Sequence, residues 1–173
     1  MSDLIPTVIS VLSLTPARWT ALCAALPEDL LRRAPAPGEW SALECLIHLL
    51  DTEKNVFPVR VKAFLAGTDF PGFNPDAQGA KGPEKSPDEL AAEFARYRAQ
   101  TLQTLRRLTA ADLPRVARHG ELGAVTLAQM LNEWAAHDLM HTVQAERAMM
   151  QPFIGECGPW RKYFTDHDVA VKK

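Results

Sequence analysis

Residues 126–150 read TLAQMLNEWAAHDLMHTVQAERAMM, and the spacing of their apolar side chains decides the fold class. At about 100° per residue, Leu127, Met130, Leu131, Trp134, Ala145, Ala148 and Met149 fall on one stripe. Asn132, Glu133, Glu146 and Arg147 occupy the opposite arc. Such a pattern predicts an amphipathic helix that turns the stripe toward a core. Thr126 opens it with a capping box: its hydroxyl accepts from an early backbone N–H, and Gln129 three residues later reaches back.

The same device occurs twice upstream, in Ser41-Ala42-Leu43-Glu44 and in Ser86-Pro87-Asp88-Glu89, where Pro87 takes the favoured first helical position. These boundaries predict helices over 42–66, stopped by Gly67, over 87–109, and over 127–150, stopped before Pro152. A first helical region runs over 4–26 and is kinked or divided near Thr15-Pro16. Pro58 removes one interior hydrogen bond and bends the helix at 42–66 in its last third.

Two longer connections separate the helices. Residues 67–85 (GTDFPGFNPDAQGAKGPEK) are rich in Gly and Pro and read as an ordered crossover or a lid. Residues 110–125 (AADLPRVARHGELGAV) read as a loop with a short extended pair around Gly120 and Gly123. No segment alternates with the period of a sheet. The expectation is an all-α fold, a four-helix bundle with long crossover loops and a short C-terminal extension. It forms one domain over 1–173 with its core at about 4–165.

Composition narrows the function. Of 173 residues, 47% are hydrophobic and 23% charged, which suits one globular core. A formal net charge of −2 and a pI near 6.2 give no basic footprint for nucleic acid and no polybasic run for an anionic membrane. The opening MSDLIPTVIS lacks the basic start and cleavage site of a signal peptide, and no apolar run approaches the length needed to span a bilayer. Cys23, Cys45 and Cys157 are odd in number and widely spaced, so a disulfide framework is not expected and a reducing cytoplasm fits.

His137 and His141 lie one turn apart at the edge of the stripe and within it, with Asp138 beside them. Side chains at i and i+4 are about 5–6 Å apart at Cβ, so both imidazoles can converge on one ion. A core histidine satisfied by one hydrogen bond is the competing reading of each. The helix at 42–66 has two apolar arcs, one of Leu43, Leu46, Ile47, Leu50, Phe57, Val61 and Phe64, the other of Cys45, Leu49, Val56, Val59 and Ala63. His48 lies in the second arc and need not be on the surface; it is a third candidate ligand or a half-buried histidine bonded to backbone. Three histidine ligands would leave a coordination position open for water, thiol or substrate.

These residues, taken in order, resemble the DinB/YfiT-like superfamily. The run Pro37-Gly38-Glu39-Trp40-Ser41 with His48 eight residues after the tryptophan is similar to its first signature. Gly123-Ala124-Val125-Thr126, Gln129-Met130-Leu131 and His137-Asp138-x-x-His141-x-x-Gln144 resemble its second. The similarity spans roughly residues 5–165. It implies a four-helix bundle, often dimeric, whose metal is held by a histidine triad: here His48, His137 and His141, with Zn or Ni as the ion. It also implies a metal-dependent hydrolase, or a transferase using a low-molecular-weight thiol, acting on a small molecule. A non-catalytic ligand-binding or stress-response dimer with a structural or vestigial site is the alternative; histidines that merely pack are a third.

Asp138 and Gln144 are candidates to orient the ligands from behind. Cys45 reads as a small buried thiol rather than a ligand. His119, flanked by glycine, reads as a solvated loop residue, with the mouth of the site as the other position. His167 belongs to a polar tail, disordered or exposed. Asp51, Glu53 and Lys54 read as a solvated strip, and Trp40, Trp134 and Trp160 as core or rim packing.

Overall fold

The computed structural model describes residues 4–73 and 85–170. Its elements are α1 (Leu4–Ala25), α2 (Glu28–Arg32), α3 (Ala42–Asn55), α4 (Phe57–Ala66), α5 (Pro87–Leu105), β1 (Val116–His119), β2 (Gly123–Thr126) and α6 (Leu127–Glu156), followed by a 3-10 turn at Gly158–Tyr163. The helices begin where their caps predict. Ser41, Ser86 and Thr126 each accept from the backbone N–H three residues on, and Glu44, Glu89 and Gln129 each reach back to the cap.

The main contacts link α1 with α5 and α6, and α3 with α5 and α6. Each long helix therefore packs on two neighbours, and α1 faces α3 across the diagonal of a four-helix bundle. Two apolar clusters fill it. One, toward the β-hairpin, includes Leu12, Phe57, Phe64, Leu105, Leu131 and Trp134; the other, toward α2, includes Trp19, Leu46, Leu49, Leu90 and Phe94. By length and composition alone α1 could cross a membrane, against the sequence expectation, since Arg18 is the one charge in its 22 residues. In the bundle its Val8, Leu12, Thr15, Trp19 and Cys23 are buried against the other helices.

Arg98 joins the four helices at the centre. On α5 and 1% exposed, it donates through Nε to Glu53 on α3 at 2.8 Å and through Nη1 to the Leu12 carbonyl on α1 at 2.9 Å. Nη1 and Nη2 also reach the two oxygens of Asp138 on α6, at 2.7 and 3.1 Å. The Leu12 contact explains why α1 continues through Pro16 rather than dividing. Pro16 has no N–H for the carbonyl four residues back, and Arg98 supplies the missing donor.

Several boundaries differ from expectation. The helix at 42–66 divides at Val56 (φ −117°, ψ −73°), so Pro58 lies in the first turn of α4, where its lacking N–H costs nothing. Helix α5 ends at Leu105, four residues early. Helix α6 passes Pro152 to Glu156: Ile154 is buried, and Gln151 donates to the Arg147 carbonyl at 2.7 Å and to the His167 carbonyl at 3.0 Å. The extended pair around Gly120 and Gly123 is a short antiparallel hairpin, Val116 opposite Thr126 and His119 opposite Gly123. The chain after α4 joins its edge, with Phe70 N–H donating to Arg118 and Gly120 N–H to Phe70. Residues 74–84, most of the expected crossover or lid, lie outside the described residues.

Candidate metal centre

Helices α3 and α6 pack side by side, which brings His48 to the one-turn pair His137 and His141. One nitrogen from each imidazole lies within 4.8 Å of the others. The Nε2 atoms of His48 and His137 are 3.0 Å apart; ring centroids are 4.6 Å apart for His48 and His141 and 4.5 Å for His137 and His141. Trp40 stacks on His141 at 5.7 Å and 16°, Phe57 meets His137 in a T-shaped contact at 5.2 Å, and Phe73 stands 6.1 Å from His48. Phe57 is itself stacked on buried Trp134, 4.6 Å away. The triad thus occupies one part of an aromatic-walled cavity of about 490 Å³.

The donor chemistry fits a divalent ion. Burial, reinforced by its neighbour His141, lowers the His48 pKa to about 4. Burial first, then the other imidazoles and Arg98 and Arg60, lowers that of His137 to about 3. His141 is lowered too, chiefly by burial. All three are neutral at neutral pH, the state in which imidazole has a lone pair to donate. Gln144 fixes one tautomer: its Oε1 is 2.9 Å from His141 Nδ1, which must therefore carry the proton and leave Nε2 free. Without an ion the trio is poorly satisfied. His48 and His137 share one contact, and buried His137 Nδ1 has no partner among the described residues.

Other sequence candidates fall on both sides of expectation. Gln144 does hold a triad imidazole. Asp138 does not: both its oxygens are taken by Arg98, because it points to the bundle axis while the histidines point to the cavity. Cys45 is buried, and burial pushes its thiol up to about 12, so it stays protonated. Trp40 rims the cavity and Trp134 is core, but Trp160 is 64% exposed and packs as neither. His167 is exposed.

Two expectations are corrected outright. Glu53 is not on a solvated strip but 1% exposed, drawn inward by Arg98; Asp51 and Lys54 are half-buried, Lys54 on Glu93 at 2.7 Å. His119 is not solvated: it is 8% exposed and lines the cavity. Sequence reasoning missed Arg98 and Arg60, although each carries a signal. Arg98 interrupts the buried series Leu90, Phe94, Thr101, Leu102 and Leu105, and Arg60 stands beside Phe57, Val61 and Phe64.

A model of the DinB superfamily matches residues 12–145. The chain belongs to the DinB superfamily. A solved DinB-like structure is similar over 88% of this chain and 89% of its own, with a TM-score of 0.76 and 19% identity. It is described as "YfiT from Bacillus subtilis is a probable metal-dependent hydrolase with an unusual four-helix bundle topology". That likeness bears on the fold, which the two chains share. No curated protein sequence matches.

Proposed function

We propose that this DinB-superfamily protein is a metal-dependent enzyme acting on a small molecule, with His48, His137 and His141 as the ligands of one Zn or Ni ion. The observation that carries this reading is the convergence of three neutral imidazoles, within 4.8 Å, on a cavity large enough for a small substrate. Nitrogen donors suit zinc and nickel. When bound, the ion supplies Lewis acidity that activates water for hydrolysis or a low-molecular-weight thiol for group transfer.

The chain's own residues would do the rest. Gln144 holds His141 with its free nitrogen toward the cavity. Trp40 and Phe57 lock the ring planes of His141 and His137 and exclude water beside them. Apolar walls at Phe73, Val125, Met130 and Met140 would receive the body of the substrate.

Elemental analysis of untagged protein, followed by turnover against ester, amide and thiol-conjugation panels with and without chelator, tests the reading. One Zn or Ni per chain and chelator-sensitive turnover are expected. A metal content far below one, unchanged in His137→Ala, overturns the site. Full occupancy that raises the melting temperature without turnover in any panel favours the non-catalytic alternative.

A further inference from the structure

The cavity has a second polar feature that the metal does not need. Arg60 and His119 both line it, with the Arg60 side chain 12% exposed. The hairpin fixes His119. Its Nδ1 accepts from the backbone N–H groups of Glu121 at 3.1 Å and Leu122 at 3.3 Å. An imidazole nitrogen that accepts carries no proton, so in the neutral ring the proton is on Nε2. That Nε2 lies 3.3 Å from Arg60 Nη2. Arginine has donors and no acceptor, so the two cannot satisfy one another: they are two N–H donors brought side by side.

Phe70 holds both in place. The Arg60 guanidinium lies over its ring at 5.3 Å, and His119 packs edge-on against it at 5.5 Å. The strand-like bonds between Phe70 and the hairpin keep this arrangement, and a Cβ at Gly120 would crowd the Gly72 nitrogen at 3.0 Å. Two acids are near. Glu133 approaches Arg60 Nη1 at 3.9 Å, beyond hydrogen-bond length, and is half exposed, so water screens the pair. Glu121 is exposed at the rim and leans on Gly72. Neither closes the paired donors.

We propose that Arg60 and His119 form a carboxylate-binding subsite, so that the substrates presented to the triad are apolar small molecules bearing a carboxylate at one end. Glu133 beside Arg60 precedes His137 by one turn of α6, which sets the carboxylate off from the reacting end by on the order of 6 Å along the helix. The apolar body lies between, against Phe57, Val125 and Met130. This rests on the triad being the reacting end, but the subsite itself is independent of the metal.

The test is calorimetric binding of phenylacetate, phenylpropionate and phenylbutyrate against their primary amides. It uses the zinc-loaded protein and His137→Ala, in which a carboxylate has no complete metal site to occupy. Each acid that binds is expected to bind about ten- to a hundredfold tighter than its amide in both proteins. Arg60→Met should erase the preference and Arg60→Lys keep part of it, with melting temperatures recorded to confirm folding. Equal affinity of acid and amide, a preference that survives Arg60→Met, one that vanishes in His137→Ala, or no binding across the series overturns the subsite. So does nitrogen NMR of His119 showing the proton on Nδ1. Failure of wild-type protein to take up zinc overturns the metal reading, and a preference that persists in that protein leaves the subsite standing.

Discussion

Replacing Arg98 with methionine would strand two carboxylates in the middle of the bundle. Glu53 and Asp138 are each 1% exposed, and Arg98 is the cation bonded to both. Breaking a buried pair by removing one partner costs about 3–5 kcal/mol, because the remaining charge is left without compensation. For a domain of this size each kcal/mol moves the melting temperature by about 2–4 °C, so a fall of about 6–20 °C is expected. The Leu12 carbonyl would also lose the donor that replaces the Pro16 N–H. Pro16→Ala in the Arg98→Met background returns a helical donor to it and should recover part of the loss.

The charge origin of the loss has its own signature in pH. Burial, the largest influence, already holds the Glu53 carboxyl above its ordinary range despite Arg98. Without the guanidinium it rises further. A carboxyl whose folded pKa exceeds its unfolded value takes up a proton on folding, so its penalty is relieved as pH falls through the folded pKa. The deficit of Arg98→Met against wild type, measured by urea unfolding, should shrink from neutrality toward about pH 5. Adding Glu53→Met and Asp138→Leu should remove most of it at neutral pH. A deficit under about 1 kcal/mol, or one that is flat with pH and unchanged in the triple variant, would refute the reasoning.

Three further outcomes are expected. Alanine at His48, His137 or His141 should lower bound Zn or Ni far below one per chain by elemental analysis. Gln144→Leu, which frees the His141 tautomer, should weaken metal about 10–100-fold in chelator competition, whereas Asp138→Asn should act on stability far more than on metal. The metal-free protein should lose stability on acidification: His48 and His137 have folded pKa values of about 4 and about 3, below the unfolded 6.5, so their contribution is complete above pH 6.5 and is lost as pH falls through that window, with His48 alone worth on the order of 3 kcal/mol; denaturant titration at stepped pH reads this directly, and a flat profile contradicts it.

What could be read in advance was local. The capping boxes at Ser41, Ser86 and Thr126 use side chains three residues apart, and all three form as expected. The His137 and His141 pair is likewise a property of one helix. His48 needed a second helix: its place on a second apolar arc left it ambiguous, and family spacing was the main pointer to it. Glu53 was misplaced because charge on a helix reads as solvent until its partners on other helices are known. Asp138 was read with the histidines beside it, whereas its partner is Arg98 on another helix, and Arg98 showed only as a break in a buried series. His119 was misplaced for the same reason as Glu53: its burial depends on Phe70, nearly fifty positions earlier.

Pro16 and Asp138 look unrelated in sequence, one a helix breaker and the other a neighbour of two histidines. Arg98 makes them parts of one device. A single guanidinium satisfies the carbonyl that Pro16 frees on α1, ties α5 to Glu53 on α3, and takes both oxygens of Asp138 on α6. Glu53 is five residues after His48, and Asp138 stands between His137 and His141 on the chain. The ion cluster therefore fixes α3 against α6 within about one turn of all three imidazoles, from the side opposite the cavity. A metal site assembled from two helices is only as well defined as their relative position. In this bundle polar bonds with definite directions add to the apolar packing in setting that position.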